Sequence, residues 1–229
     1  MHRVLRIGHR GAAGHAPENT LAAIQRGIEL EADFVEIDVR CTADGALVAL
    51  HDATVNRTTN GKGRIDSLSL PEVRAFDAGN TEHIPTLEQV LKVAAGKAGL
   101  MLELKVGGIA HRTVQAVRKA GFQDPVIYAS FLHDELTAVR SVDPEAALMV
   151  LFGQLPDSPV ACAMKYKSSY VGLRHDTATR RLVDAFHHQN LLVCVYTANS
   201  TGDIKHALSI GVDGVISNFP DRIGSLVQA

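Results

Sequence analysis

The chain has 229 residues, of which 46% are hydrophobic and 21% are charged, and its formal net charge is −2. A charge so close to zero gives no basic footprint for nucleic acid or for an anionic membrane surface. The length and the apolar fraction are typical of a globular protein with a full hydrophobic core, and α/β barrels of this size usually form one domain.

Strand-like and helix-like segments alternate along the chain. Short apolar runs predict strands at residues 4–8, 34–39, 100–105, 126–130, 147–152, 170–173, 192–197 and 214–217. Amphipathic segments predict helices at residues 17–30, 86–95, 111–120, 133–141, 178–190 and 200–210. Eight strands that alternate with helices indicate a (β/α)8 TIM barrel. A doubly wound open sheet is the alternative, but the residues after the first strand, Gly8-His9-Arg10-Gly11, do not form its glycine-rich phosphate turn.

A ninth apolar run, residues 46–50, follows Asp44-Gly45, a sequence typical of a two-residue β-hairpin turn. Such a short turn joins only antiparallel neighbours, so we exclude this strand from the parallel set. Counting back from the turn places Asp38 opposite His51, and the hairpin therefore brings His51 to the second strand.

The polar, turn-rich segment 53–83 follows this hairpin directly and breaks the alternation of strands and helices. We therefore expect one (β/α)8 barrel domain over residues 1–229, with a short insertion at about 53–83 that covers the mouth. Active sites of such barrels lie at the carboxyl ends of the strands, so the insertion is expected to cover the site.

Charged residues stand at the ends of three predicted strands. Burying an unpaired charge in a strand costs free energy, so these residues need a structural or functional reason. They are His9 and Arg10 after the first strand, Glu36 and Asp38 in the second, and Glu103 and Lys105 in the third. Residues two apart in a strand point to the same side, so each pair within a strand faces one way. With His51 from the hairpin, we predict that these side chains converge on one site.

The residue types predict a site for a divalent cation and a phosphate. Oxygen ligands from Glu36, Asp38 and Glu103 suit Mg²⁺ or Ca²⁺, whereas zinc more often has Cys or several His ligands. Arg10 offers a bidentate fork and Lys105 a compact charge, and both suit phosphoryl oxygens. A single Glu-x-Asp or Glu-x-Lys pair is more often an exposed feature of a surface strand. Three such motifs at consecutive strand ends are much harder to obtain by accident.

The sequence also contains an ordered set of short motifs between residues 7 and 105. They are His9-Arg10-Gly11, Pro17-Glu18-Asn19-Thr20-Leu21, Glu36-Ile37-Asp38-Val39, Thr42-x-Asp44-Gly45, His51-Asp52, Arg57-Thr58-Thr59-Asn60-Gly61, Ile84-Pro85-Thr86-Leu87 and Glu103-x-Lys105. Weaker matches follow at Ser130-Phe131, Thr197-x-Asn199 and Gly211-Val212-Asp213-Gly214. As a set, these motifs resemble the glycerophosphodiester phosphodiesterase family, in its compact cytoplasmic bacterial form.

The resemblance implies a (β/α)8 barrel, one divalent cation, and cleavage of a small-molecule glycerophosphodiester to sn-glycerol 3-phosphate and an alcohol. It also implies roles for the seven site residues: His9 and His51 as an acid/base pair, Glu36, Asp38 and Glu103 as metal ligands, and Arg10 and Lys105 as phosphate contacts.

Two positions depart from the family pattern. Tyr196 stands where the family usually has Trp, and Ser217-Asn218 stands where Thr-Asp is usual. Neither position is one of the predicted metal ligands or histidines. We therefore expect both to affect the leaving-group pocket rather than the chemistry.

Two other functions stay open. A lysophospholipase D or sphingomyelinase-like phosphodiesterase would need an apolar mouth for an acyl chain, and the polar residues 57–62 argue against one. A non-catalytic barrel that binds phosphodiesters is disfavoured because all seven candidate residues are present. The sequence leaves open the head group, the choice between Mg²⁺ and Ca²⁺, the oligomeric state, and whether the nucleophile is the glycerol 2-hydroxyl or water.

The sequence also bears on the cellular location. Cys41, Cys162 and Cys194 lie far apart and show neither metal-binding nor redox spacing, which predicts reduced thiols. Residues 1–8 lack the apolar run of a secretory signal, and no apolar stretch reaches the roughly 20 residues that span a bilayer. We therefore expect a soluble cytoplasmic protein without a membrane span.

Overall fold

The computed structural model describes residues 3–227. Within these residues, eight parallel strands close into a barrel because β1 pairs with both β2 and β9. The barrel strands are β1 (Leu5–Gly8), β2 (Phe34–Cys41), β4 (Gly99–Leu104), β5 (Val126–Ser130), β6 (Ala147–Phe152), β7 (Tyr170–Arg174), β8 (Leu192–Tyr196) and β9 (Gly214–Ser217). A further strand, β3 (Leu47–Ala49), pairs antiparallel with the end of β2. The predicted (β/α)8 TIM barrel is confirmed.

Helices lie between the strands. They are α1 (Leu21–Glu29), α2 (Leu70–Arg74), α3 (Leu87–Ala94), α4 (Ala110–Lys119), α5 (His133–Val142), α6 (Pro159–Lys165), α7 (Arg180–His187), α8 (Thr201–Ser209) and α9 (Pro220–Val227). Sequence periodicity missed α2, α6 and α9, which have at most eight residues each. Both α6 and α9 begin at a proline, a residue that fits the first turn of a helix.

The start of α1 differs from the prediction and matters for the site. The helix begins at Leu21, because the Thr20 side chain accepts a hydrogen bond from the Ala23 backbone N–H at 3.2 Å. Asn19, just before this cap, has a left-handed backbone with φ of +58°. Residues 17–20 are therefore loop, and the Asn19 side chain is available to another partner.

Successive side chains of each barrel strand point alternately outward and inward, and they form two separate hydrophobic cores. In β2, Val35, Ile37 and Val39 pack in the outer core against the helices, whereas Phe34 packs in the inner core of the barrel. Successive side chains of a strand point to opposite faces, so Glu36 and Asp38 continue the inner row that Phe34 begins. The same alternation in β4 continues the inner row from Met101 to Glu103.

The β2–β3 hairpin has a three-residue loop at residues 43–45 instead of the predicted two-residue turn. Gly45 has φ of +87°, and such a left-handed residue after a tight turn shifts the pairing by one position. Val39 therefore pairs with Ala49, and the Leu50 N–H donates to the Asp38 carbonyl at 2.9 Å. The prediction that Asp38 lies opposite His51 is wrong by one residue, and His51 comes just after this pair.

The segment 53–83 has a small apolar core of its own beside the barrel. Val55, Ile65 and Val73 are buried there together with Val48 and Leu50 of the hairpin. The segment is therefore packed onto the β2–β3 side of the barrel. In the part of the chain that is described, no helix is both long and apolar enough to cross a bilayer. The cytoplasmic location stays a prediction.

Candidate active site

A cavity of about 220 Å³ lies at the carboxyl ends of the barrel strands. Six of the seven predicted site residues line it: His9, Arg10, Glu36, His51, Glu103 and Lys105. The seventh, Asp38, is fully buried beside them. The rest of the wall is Thr197 and a set of mostly apolar side chains: Met101, Ala129, Phe131, Leu151, Tyr196 and Ile216.

Three carboxylates meet at one edge of the cavity. Glu36, Asp38 and Glu103 each offer an oxygen, and these oxygens lie within 4.8 Å of one another. Strand register explains the meeting, because β2 and β4 are neighbours and Asp38 pairs directly with Glu103. Glu36 lies two residues earlier on the same inner face of β2.

Two of these carboxylate oxygens lack a hydrogen bond. Within residues 3–227, Glu36 Oε1 and Asp38 Oδ1 are buried and have no hydrogen-bond partner. A buried carboxylate oxygen without a partner is costly, and hard divalent cations are held by such oxygens. The donor set therefore fits an oxygen-liganded divalent cation.

The raised pKa values of these carboxyl groups also fit a site for a divalent cation. Burial, with the nearby charges of Asp38 and Glu103, raises the pKa of Glu36 well above its usual range. Burial and Asp38 also raise the pKa of Glu103, although Lys105 opposes the rise. Three neighbouring negative charges repel each other in a buried place, and a divalent cation would offset that repulsion.

Arg10 and Lys105 lie on two sides of the carboxylates. The Arg10 backbone N–H donates to Glu36 Oε2 at 2.7 Å, and its Nε is 3.3 Å from Asp38 Oδ2. Lys105 Nζ donates to Glu103 Oε1 at 2.7 Å and lies 3.5 Å from Asp38 Oδ1. Burial lowers the pKa of Lys105, but Glu103 and Asp38 outweigh this effect, so that its pKa is raised and it stays charged.

Asn19 fixes the Asp38 carboxylate. Its Nδ2 donates to Asp38 Oδ2 at 2.8 Å, and its Oδ1 accepts from the Asp38 backbone N–H at 3.1 Å. Thr20 is the N-cap of α1, so the Asn19 side chain is not needed there and binds Asp38 instead.

His9 is held by Asn218, which follows the last barrel strand. The Nδ1 of His9 lies 2.6 Å from Asn218 Oδ1, so Nδ1 carries the proton and Nε2 is the basic nitrogen. Burial and the Arg10 charge lower the pKa of His9 to about 4, and the imidazole is neutral at pH 7. The expectation that Asn218 concerns only the leaving-group pocket needs correction, because its side chain contacts His9.

Replacing Asn218 with the aspartate usual in the family is expected to raise the pKa of His9 above about 4. A carboxylate beside Nδ1–H favours the charged imidazolium. An NMR titration of the His9 ring in the cation-free protein measures the change. Asn218→Ser, which removes the amide without adding charge, is the control and is not expected to cause this rise. Equal titration midpoints in Asn218→Asp and the wild type would contradict the assignment.

His51 is held in place by its acidic neighbour Asp52. Its Nδ1 lies 2.7 Å from Asp52 Oδ1, which again assigns the proton to Nδ1 and leaves Nε2 basic. Tyr196, the other departure from the family pattern, lines the cavity and donates its hydroxyl to the Phe152 carbonyl at 2.7 Å. It is therefore a wall residue held in one orientation.

Sequence reasoning missed the side chains that hold the predicted ones. Four of these side chains contact a predicted site residue directly, namely Glu18, Asn19, Asp52 and Asn218, and Arg57 extends their contacts. The available signal was position, because four of them lie within the ordered motifs and Asn218 stands at a departure from them. Their partners come from other loops, and residue spacing alone does not reveal such contacts.

Known proteins resemble this chain over nearly its full length. The chain matches the family described as "Glycerophosphoryl diester phosphodiesterase family" over residues 9–222. A glycerophosphodiester phosphodiesterase of Caldanaerobacter subterraneus subsp. tengcongensis is 32% identical to it, over 99% of this chain and 98% of the relative.

Solved structures share the fold. One is a phosphodiesterase of Oleispira antarctica in complex with its product sn-glycerol-3-phosphate, at 29% identity and a TM-score of 0.90, covering 97% of this chain and 96% of that chain. Another is a glycerophosphodiester phosphodiesterase of Agrobacterium tumefaciens, at 29% identity and a TM-score of 0.85, covering 96% and 99%. The family match and the nearly full-length relatives together show that this chain belongs to the glycerophosphoryl diester phosphodiesterase family.

Proposed function

We propose that this protein hydrolyses glycerophosphodiesters to sn-glycerol 3-phosphate and an alcohol, with the help of a divalent cation. The observation that carries this proposal is the pair of buried oxygens of Glu36 and Asp38 that have no hydrogen-bond partner within residues 3–227. They lie beside Glu103, two cationic side chains and two imidazoles. The family membership of the chain supports the reaction class, and the product bound by the Oleispira antarctica relative supports the product.

Glu36, Asp38 and Glu103 would hold the cation, which we expect to be Mg²⁺ or Ca²⁺ because all ligands are oxygens. When bound, such a cation draws negative charge from a phosphoryl oxygen as a Lewis acid. Arg10 and Lys105 line the same cavity and would bind the remaining phosphate oxygens.

The two histidines would move the protons. Neutral His9 accepts a proton from the nucleophile at Nε2, which is suited to a base because the ring is uncharged at pH 7. His51 would enter this step as the imidazolium, with its Nδ1–H held by Asp52 and a second proton on Nε2. It would donate that Nε2 proton to the oxygen of the leaving alcohol as the phosphorus–oxygen bond breaks. The nucleophile is either water or the glycerol 2-hydroxyl, and a cyclic glycerophosphate trapped in rapid-quench samples would identify the second route.

The insertion is part of this proposal. We infer that residues 1–229 form one catalytic barrel domain and that residues 53–83 are an insertion at its mouth. Arg57, from the insertion, donates to Glu18 of the β1–α1 loop at 2.7 and 2.8 Å. This contact supports an insertion that lies at the mouth of the barrel, beside the β1–α1 loop.

A second candidate function is the hydrolysis of lysophospholipids. Phe131 lines the cavity and is 40% exposed, and the adjacent Leu132 is 45% exposed. An exposed apolar wall of this kind suits an acyl chain better than the polar residues 57–62 do.

An assay in the presence and absence of a chelator tests the proposal. We expect EDTA-treated protein to lose at least about 100-fold in the turnover of glycerophosphocholine, because no charge then offsets the carboxylates and the phosphate. Added Mg²⁺ or Ca²⁺ should restore turnover, with release of sn-glycerol 3-phosphate. Lysophosphatidylcholine is the comparison substrate, and a preference for it would favour the second function. Full turnover of the chelated protein would contradict the role of the cation.

A further inference from the structure

A chain of charged contacts crosses the mouth of the barrel. Arg57 lies at its centre and donates hydrogen bonds to two carboxylates from different loops. On one side is Asp52, which contacts His51, and on the other is Glu18, which contacts Arg10. The two ends of this chain are therefore residues that line the proposed active site.

The contact with Asp52 acts on His51. Arg57 Nε donates to Asp52 Oδ2 at 2.7 Å, and its second terminal nitrogen donates to Asp52 Oδ1 at 3.0 Å. The same Oδ1 accepts from His51 Nδ1 at 2.7 Å. A carboxylate held at both oxygens keeps one orientation, and the imidazole that donates to it keeps one tautomer and one ring plane.

The contact with Glu18 acts on Arg10. Arg57 donates to Glu18 Oε2 at 2.8 Å and to Glu18 Oε1 at 2.7 Å. Glu18 Oε1 also accepts from the Arg10 guanidinium at 2.7 Å. Arg10 in turn lies 3.3 Å from the buried Asp38 carboxylate. Arg57 thereby limits how far Glu18 draws the Arg10 charge away from the carboxylates.

We propose that Arg57 is a positioning residue that ties the insertion to the active site. It fixes the carboxylates of Asp52 and Glu18, which in turn orient His51 and Arg10. The proposal rests on the proposed function of the site. Arg57 does not line the cavity, so it acts through its two carboxylate partners rather than on the substrate.

Burial and charge support this role. The exposed fraction of the side chains falls from 49% for Arg57 to 20% for Glu18, 16% for Arg10 and 0% for Asp38. The contacts therefore lead from the solvent to the buried cluster. Burial raises the pKa of Glu18, but Arg57 and Arg10 outweigh it and lower this pKa to about 2, which keeps the Glu18 charge in place.

The test compares Arg57→Ala with Arg64→Ala. Arg64 belongs to the same insertion and forms a bidentate pair with Asp66, but it has no contact with the site residues. We expect Arg57→Ala to lower kcat about 10- to 100-fold with a smaller change in KM, because supporting contacts around an active site have effects of this size. Arg64→Ala should retain wild-type kcat, and Arg57→Lys should be intermediate because an ammonium lacks the planar fork.

A second measurement does not depend on activity. Nitrogen NMR of the His51 ring should show the Nδ1–H tautomer in the wild type and a mixture of tautomers in Arg57→Ala. A double variant, Asp52→Asn with Arg57→Ala, should lose little more kcat than the larger single loss, because both changes act through one contact.

The outcomes separate this inference from the proposed function. A wild-type protein without phosphodiesterase activity would refute the proposed function, whereas the NMR comparison would still test the link from Arg57 to His51. An active wild type with unchanged kcat and unchanged His51 tautomer in Arg57→Ala would overturn the inference alone. A fall in kcat that is matched by an equal fall in urea resistance, with an unchanged tautomer, would also overturn it.

Discussion

Replacing Glu36 with glutamine is expected to abolish cation binding and, at the same time, to make the cation-free protein more stable. Glu36 is buried, its pKa is raised well above the usual range, and its Oε1 is unpaired among residues 3–227. Glutamine has nearly the same shape without the charge, and its oxygen can still accept from the Arg10 N–H. We estimate a gain of about 1–3 kcal/mol in the free energy of unfolding, from the cost of an uncompensated buried group.

The stability gain should depend on pH in a definite direction. A carboxyl whose pKa is higher in the folded chain than in the unfolded chain lowers stability at neutral pH. This cost is relieved as the pH falls through the raised pKa toward the ordinary one. Urea midpoints of wild type and Glu36→Gln, both without cation, should therefore differ more at pH 7 than at acid pH, where they should converge.

Cation binding gives the complementary measurement. The wild type should gain about 2.7 kcal/mol in unfolding free energy at a cation concentration 100 times its Kd, and Glu36→Gln should gain almost none. Turnover of the variant should fall at least about 100-fold, because an uncharged ligand holds the cation poorly.

Glu135→Gln is the matched control. Glu135 is also buried, but it lies outside the cavity and accepts from the backbone N–H groups of Gly108, Ile109 and Ala110 at 2.6 to 3.1 Å. Its replacement should lower stability and leave cation binding intact, because these bonds satisfy the start of α4. Wild-type cation affinity in Glu36→Gln, or a loss of its stability, would contradict the proposed metal ligand.

Alanine at His9 or at His51 is expected to lower kcat by about 10²- to 10⁴-fold, the usual contribution of general acid–base catalysis. Both side chains line the cavity, and each has its Nε2 left for proton transfer because its Nδ1 is held by a side-chain oxygen. His206→Ala, a change on an exposed face of α8, should leave kcat unchanged. Circular dichroism and urea midpoints check that the variants fold.

The leaving group separates the two roles. A glycerophosphodiester of p-nitrophenol needs little protonation of its leaving oxygen, so it should restore much of the turnover of His51→Ala. It should not restore His9→Ala, whose defect lies at the nucleophile. The reverse pattern would exchange the two assignments, and equal rescue of both variants would refute a division of roles.

The strands were predictable because each is a short apolar run. The bounds of β5, β6 and β9 agree with the prediction to the residue. Alternation also predicted the carboxylate cluster, because Glu36, Asp38 and Glu103 occupy inward positions on neighbouring strands. Strand geometry is regular, so spacing in the sequence converts directly into spacing in the barrel.

Loop geometry was not predictable in the same way. The hairpin register depended on the left-handed backbone of Gly45, and the contact between Asn19 and Asp38 depends on a left-handed Asn19. Arg57 is separated by 39 residues from its partner Glu18, and Asn218 by 209 residues from His9. No local periodicity encodes such pairings, since the partners lie far apart in the sequence.

The division of the cavity between strands and loops has a consequence for redesign. The acidic cluster is fixed by the ladder between β2 and β4, whereas Phe131 and Thr197 follow β5 and β8 in connecting segments. Loops tolerate replacement far better than paired strands do. Combinatorial libraries confined to residues 131 and 197 should therefore alter which alcohol is released while every cation ligand keeps its original scaffold.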